Sequence, residues 1–173
     1  MNGARPLSPE EIRAIAERLN PRNRCLFILG IRTGFRISEL LSLNVGDVYD
    51  DKLGIREAVY LRKQNTKGKI EGRVMAMHPH SRASITEMLG SGPVDPLRPL
   101  FHTEHGRLER TVYHKALKKA AVAAGIDSSR VSSHSCRKTF AASFFEACGK
   151  DAFQLKEAMG HKNLDSTAKY IQT

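Results

Sequence analysis

Apolar positions recur along most of the chain at the three-to-four spacing of helices that face a core. They switch once to the twofold spacing of strands. In "LSPEEIRAIAERLN", Ile12, Ile15, Ala16 and Leu19 line one face; Ser8 supplies a cap, Pro9 suits the first turn and Glu11 completes a capping box. "RCLFILGIRT" reads as a buried helix that stops near Gly34, and "RISELLSL" starts another at once. "EAVYLRKQ" and "GRVMAMH", separated by the turn-like "NTKGK", predict a β-hairpin, with a third strand near Leu53 to Ile55 joining it. Helix returns over Ser81 to Leu89, before the Gly- and Pro-punctuated loop "GSGPVDPLRP". Tyr113, Ala116, Leu117, Ala120, Ala121 and Ala124 then form a stripe that Gly125 ends. Ser133 is expected to cap a helix in which Cys136, Phe140, Phe144 and Cys148 stack; "DAFQLKEAMG" ends at Gly160, and a short helix closes the chain from about Asp165. The pattern predicts a mainly α fold with one small antiparallel β-sheet, an α+β domain.

Length adds that residues 1–173 make one domain, long enough to bury a core unaided. Cys25, Cys136 and Cys148 are too few and too scattered for a disulfide framework, and each falls in an apolar helical pattern as a reduced core thiol. The longest apolar run, "CLFILGI", cannot span a bilayer, so no membrane partner is expected and the chain reads as soluble and cytoplasmic. Charge changes the picture more. The formal net charge is +10, and it is clustered: Arg56 to Arg82 holds seven basic residues, Lys63, Lys67, Lys69 and Arg73 among them, against two acidic ones. Such clustering favours a polyanion, most often nucleic acid, with a merely solvated basic surface as the alternative.

Four stretches concentrate polar chemistry. Arg36, between Phe35 and Ile37 at a helix start, is partly desolvated and wants a fixed anion; a salt bridge to Glu39 would satisfy it. In "SHSCRKTF", His134 and Arg137 share a face at a helix N-terminus, an arrangement suited to phosphate but also to simple capping. Lys67 and Lys69 flank Gly68 at the hairpin tip, where lysines are ordinarily solvated. Gly160-His161 is followed by Tyr170; a histidine there can simply satisfy helix-terminal carbonyls.

Taken in order, the four stretches resemble the catalytic domain of the tyrosine recombinases, the phage-integrase family. "TGFRISELLSL" is similar to the family's first arginine motif, "SSHSCRKTFAASF" to its His-x-x-Arg motif, and "LKEAMGHKNLDSTAKY" to its Gly-His segment with the nucleophilic tyrosine. "LRKQNTKGKIEGRVMAM" stands where the family carries its lysine-bearing hairpin. The resemblance implies that fold, double-stranded DNA as partner, and strand exchange through a 3′-phosphotyrosyl intermediate without metal or high-energy cofactor. It further implies Tyr170 as nucleophile, with Arg36 and Arg137 gripping the non-bridging oxygens. His161 would hold the same phosphate, His134 would take the tyrosine proton, and Lys67, with Lys69 as alternative, would protonate the leaving oxygen. Glu39 would orient the clamp, and Lys63, Lys69, Arg73 and Lys138 would contact DNA. A metal-dependent nuclease would gather acidic residues, and none lies between His134 and Glu146; "HTEH" at His102 to His105 lacks a third ligand for zinc.

Cys136 and Lys138 stand where the family commonly has Leu and His, and Lys138 keeps positive charge. Family members usually carry an N-terminal core-binding domain, which is expected to be absent here, and a tail beyond the tyrosine. The expectation is therefore a monomer or weak oligomer when free, self-associating on DNA, in a prokaryotic, phage or mobile-element setting. Relaxation of supercoils in the manner of a type IB topoisomerase, and non-catalytic DNA binding on the same scaffold, are the competing readings.

Overall fold

The computed structural model describes residues 3–65 and 72–171. Helix α1 (Pro9–Ala16) starts as its capping box requires: the Ser8 hydroxyl accepts from the Glu11 N–H, and the Glu11 carboxylate accepts from the Ser8 N–H. Helix α2 (Pro21–Thr33) is the central element, buried along most of its length and packed against the helices α4 (Pro79–Leu89) and α6 (Ser133–Ala147). It ends at Gly34 in the left-handed conformation, φ 63°, where a Cβ would lie 2.3 Å from the Phe140 ring. Only glycine fits there. The short α3 (Ile37–Ser42) follows directly.

The strand region departs from expectation. The hairpin forms, as β3 (Ala58–Leu61) against β4 (Arg73–Ala76), with Tyr60 opposite Val74 and Leu61 opposite Arg73. Gly54–Ile55 does not join it. That segment is β2 and pairs instead with β1 (Tyr49–Asp50), and a third two-stranded ladder joins β5 (His102–Thr103) to β6 (Gly106–Arg107). The described residues therefore carry three separate antiparallel ladders where one sheet was expected. Two-residue strands contain no alternation to read.

Helices α5 (Arg110–Ala123), α7 (Ala152–Met159) and α8 (Asp165–Ile171) complete the domain. The cap of α6 is Ser132 rather than Ser133; its hydroxyl accepts from the His134 N–H. Phe140 and Phe144 stack as their fourfold spacing predicts, with centroids 5.5 Å apart. One apolar core holds α1 to α5, β3 and Cys136. A smaller cluster of Phe140, Ala141, Leu155 and Met159 holds α7 to α6, and Tyr170 and Ile171 of α8 pack on its edge. Cys25 and Cys136 are buried free thiols, each pushed up to about 12 by burial. Among the described residues no helix is long and apolar enough to cross a membrane.

Candidate active site

Two helix C-termini and one helix N-terminus meet at Arg137. Its guanidinium, only 2 % exposed, donates to the Gly34 carbonyl at the end of α2, and through Nη2 to the Met159 carbonyl at the end of α7, at 2.8 Å. Helix-terminal carbonyls lack intrahelical partners and sit at the negative end of the helix dipole, so a buried cation is well placed between two of them. Each of these helices then turns through a left-handed glycine into a second candidate residue. Gly34 leads to Arg36, and Gly160, φ 62°, leads to His161.

Arg36 caps α3 in an extended conformation and faces its own Glu39. The carboxylate accepts the Arg36 N–H at 2.7 Å and its Nη1 at 2.8 Å. Glu39 is buried, whereas the Arg36 side chain remains 28 % exposed. The salt bridge foreseen as the plain alternative is thus present, but it leaves the arginine accessible on one side. Arg36, Ile37 and Ser38 line a pocket of about 150 Å³ together with Ser133, His134, Arg137 and Arg110. Three guanidinium groups and the N-terminus of α6 border this space, a composition suited to an anion. Arg110 was not foreseen. Its sequence signal, a basic residue opening a helix, is no different from that of a solvated surface arginine. A larger groove of about 760 Å³ between α1, α2, α4 and α6 is lined by apolar and polar side chains in equal number and contains neither Arg36, Arg137 nor His161.

His134, at the first turn of α6, is open to solvent on one side and lines the pocket with the other. Partial burial, then the charges of Arg110, Arg137, Lys138 and Arg36, hold its pKa below the usual imidazole value, so it is neutral and able to accept a proton at neutral pH. Lys138, half-buried, contributes to that field. Lys63 is exposed in a 3-10 turn (Lys63–Asn65) that packs beside α3. Lys67 and Lys69 lie outside the described residues.

Arg73, expected to contact DNA, points inward, its side chain 16 % exposed, with Cζ 4.8 Å from the Phe35 ring centroid. Its Nη2 donates to the Ala158 carbonyl, and its Nη1, buried without a hydrogen-bond partner among the described residues, lies 3.8 Å from Glu39. Burial lowers its pKa to about 10. The hairpin register explains the direction: Arg73 stands opposite buried Leu61, on the face that packs inward. It also fills the space beside Gly160, where a Cβ would approach its Nε to 2.9 Å.

His161 closes the arrangement. Its Nε2 lies 2.9 Å from Arg137 Nη2 and its Nδ1 2.9 Å from Thr167 Oγ1. The Tyr170 ring is 5.5 Å from the imidazole by centroids and 5.9 Å from Arg137 Cζ. Burial, then the charges of Arg137, Arg36 and Arg73, lower the His161 pKa from 6.5 to about 4. Because the folded value lies below the free one, the unfolded chain takes up the proton first as pH falls. The resulting stability is complete above pH 6.5 and is lost between 6.5 and about 4. It amounts to about 3 kcal/mol. Urea midpoints across this range should fall more steeply for the wild type than for His161→Gln; parallel slopes would show the imidazole to be ordinary. Among the described residues no three His, Cys, Asp or Glu side chains gather as a metal-binding group.

Known proteins resemble this chain in sequence and in fold. Tyrosine recombinase XerC of Rickettsia typhi is 34 % identical over 155 residues, which cover 88 % of this chain and 47 % of that protein, and the Rickettsia prowazekii XerC is 32 % identical over the same span. The chain thus spans about half the length of the curated relatives it matches. Among solved structures, XerA recombinase superposes with a TM-score of 0.76 at 21 % identity, over 97 % of this chain and 58 % of that one. XerH bound to its difH substrate gives 0.75 at 22 % identity over 98 % and 51 %, and a lambda integrase dimer on a core site gives 0.70 at 15 % over 98 % and 48 %. These establish the fold, that of the tyrosine recombinase catalytic domain. The phage integrase family model matches residues 5–173, and the chain belongs to that family.

Proposed function

We propose that residues 1–173 act as a catalytic unit for site-specific DNA recombination, cleaving and rejoining strands through a covalent bond to Tyr170. The observation that carries this reading is the position of the Tyr170 ring against Arg137 and His161. Arg137 in turn shares an anion-sized pocket with Arg36 and His134. The phenol oxygen attacks the phosphorus of a scissile phosphodiester. A P–Oη bond forms as the bond to the 5′-oxygen breaks, leaving a 3′-phosphotyrosine and a 5′-hydroxyl. The tyrosine proton passes to His134, and Lys67 supplies the proton that the 5′-oxygen gains. Arg36, Arg137 and His161 stabilise charge on the non-bridging oxygens. Glu39 holds Arg36 at the required angle, and the two-carbonyl anchorage of Arg137 does the same for its guanidinium. Since the phosphotyrosyl bond keeps the phosphodiester's energy, attack by a 5′-hydroxyl reverses the step without ATP.

Double-stranded DNA is the proposed partner. XerH was solved bound to its difH substrate and lambda integrase as a dimer on a core site, which supports assembly of several copies on DNA and action where DNA is, in the cytoplasm. The test is incubation of the protein with nicked duplexes bearing candidate sites, in chelator, followed by denaturing electrophoresis. A protein–DNA adduct is expected. Binding without adduct on any site would favour a non-catalytic regulator, and relaxation of supercoils without sequence preference a topoisomerase.

The proton assignment has its own test. Sulfur in place of the leaving 5′-oxygen departs without an acid, so Lys67→Ala should regain cleavage on that substrate and Arg36→Ala should not. Rescue of Lys69→Ala instead would transfer the role to Lys69.

A further inference from the structure

Arginine can only donate, so Nε2 of His161, 2.9 Å from Arg137 Nη2, must be the unprotonated nitrogen. The single proton of the neutral ring then sits on Nδ1 and is donated to Thr167 Oγ1 at 2.9 Å. Thr167 is the only fully buried residue of α8 among the described ones, at 0 % exposure, and it precedes Tyr170 by three positions, one helical turn. The helix that carries the tyrosine therefore touches the phosphate-binding cluster at two levels. Tyr170 lies against Arg137 and the imidazole, and Thr167 lies behind the imidazole.

We propose that Thr167 is a positioning residue whose hydroxyl fixes the ring plane of His161 by pairing with Nδ1, as acceptor in the free protein, so that the imidazole is aimed only while the tyrosine helix is seated. A hydroxyl suits this role because it accepts as well as donates. It holds Nδ1–H in the free protein. When a phosphate oxygen displaces Arg137 from Nε2 and requires an N–H there, the same hydroxyl can donate to Nδ1. Valine has the same shape and can do neither. The seat of α8 and the orientation of His161 become one event, since Thr167 is the buried anchor of a helix whose Tyr170 and Ile171 pack on the edge of the smaller cluster.

The tautomer part of this claim stands on geometry alone; its consequence for rate rests on the recombinase reading. Long-range ¹H–¹⁵N spectra of the uniformly labelled chain at neutral pH should show His161 protonated on Nδ1 and bare on Nε2. The Nδ1–H signal should vanish into solvent exchange in Thr167→Val and persist in Thr167→Ser, with far-UV circular dichroism confirming that both remain folded. A wild-type proton on Nε2, or an Nδ1–H signal unchanged in Thr167→Val, would overturn the proposal. On a duplex that traps the wild type, adduct formation should slow about three- to tenfold in Thr167→Val, the scale of one net hydrogen bond, and recover in Thr167→Ser. Equal rates in all three proteins would also overturn it. A wild type that forms no adduct on any duplex would count against the recombinase reading and leave the spectra to decide the role of Thr167.

Discussion

Tyr170→Phe is expected to form no denaturant-stable adduct with DNA while binding the same duplex as tightly as the wild type. The substitution removes one oxygen and keeps the ring, which packs half-buried on the cluster of Phe140, Ala141, Leu155 and Met159. The folded state should therefore change by no more than about 1 kcal/mol, the net worth of a hydrogen bond. Rate, by contrast, loses its nucleophile altogether. The pairing of unchanged melting temperature and unchanged affinity with no covalent product separates a chemical role from a structural one. An adduct that survives the substitution would place the attacking group elsewhere, and the cluster around Arg137 would then need another explanation.

The second large effect concerns Arg137, and its signature is double. Arg137→Lys keeps the charge but loses the planar fork, which donates at once to the Gly34 carbonyl, the Met159 carbonyl and His161. Cleavage should fall by about 10²- to 10³-fold, the usual cost of losing one preorganised donor to a developing oxyanion. Stability should fall as well, by about 1–3 kcal/mol, because a buried helix-terminal carbonyl is left unsatisfied. Arg36→Lys provides the contrast. That side chain is 28 % exposed and, among the described residues, its side-chain hydrogen bond is to Glu39, so the rate should drop with a much smaller change in melting temperature. If the two variants lose stability equally, the staple between α2 and α7 carries less than the geometry indicates.

Much of this architecture was legible before any coordinates, and the reasons differ by element. The capping box at Ser8 and Glu11, the left-handed glycines at 34 and 160 and the hairpin around "NTKGK" are local devices, and local devices leave local signatures. The inward direction of Arg73 depends on hairpin register, not on residue type. Alternation alone puts it on one face or the other, and only the pairing of Leu61 with Arg73 decides which. Arg110 enters the pocket through the packing of α5 near α3 and α6, a long-range event without a sequence mark. Thr167 was readable and was missed. It stands one turn before the tyrosine on the same helix, and a polar side chain there must face whatever the tyrosine faces.

The contact between Gly160 and Arg73 limits how this site can drift during evolution. The turn before His161 allows no side chain, both because its backbone is left-handed and because the guanidinium occupies the room a methyl group would need. A shorter residue at 73 would open that room but leave the backbone strain at 160, and it would strip Glu39 of its second cation and uncover the Phe35 ring. Positions 73 and 160, far apart in the chain, therefore constrain each other, and the residue at 73 in turn bears on what surrounds Phe35 and Glu39.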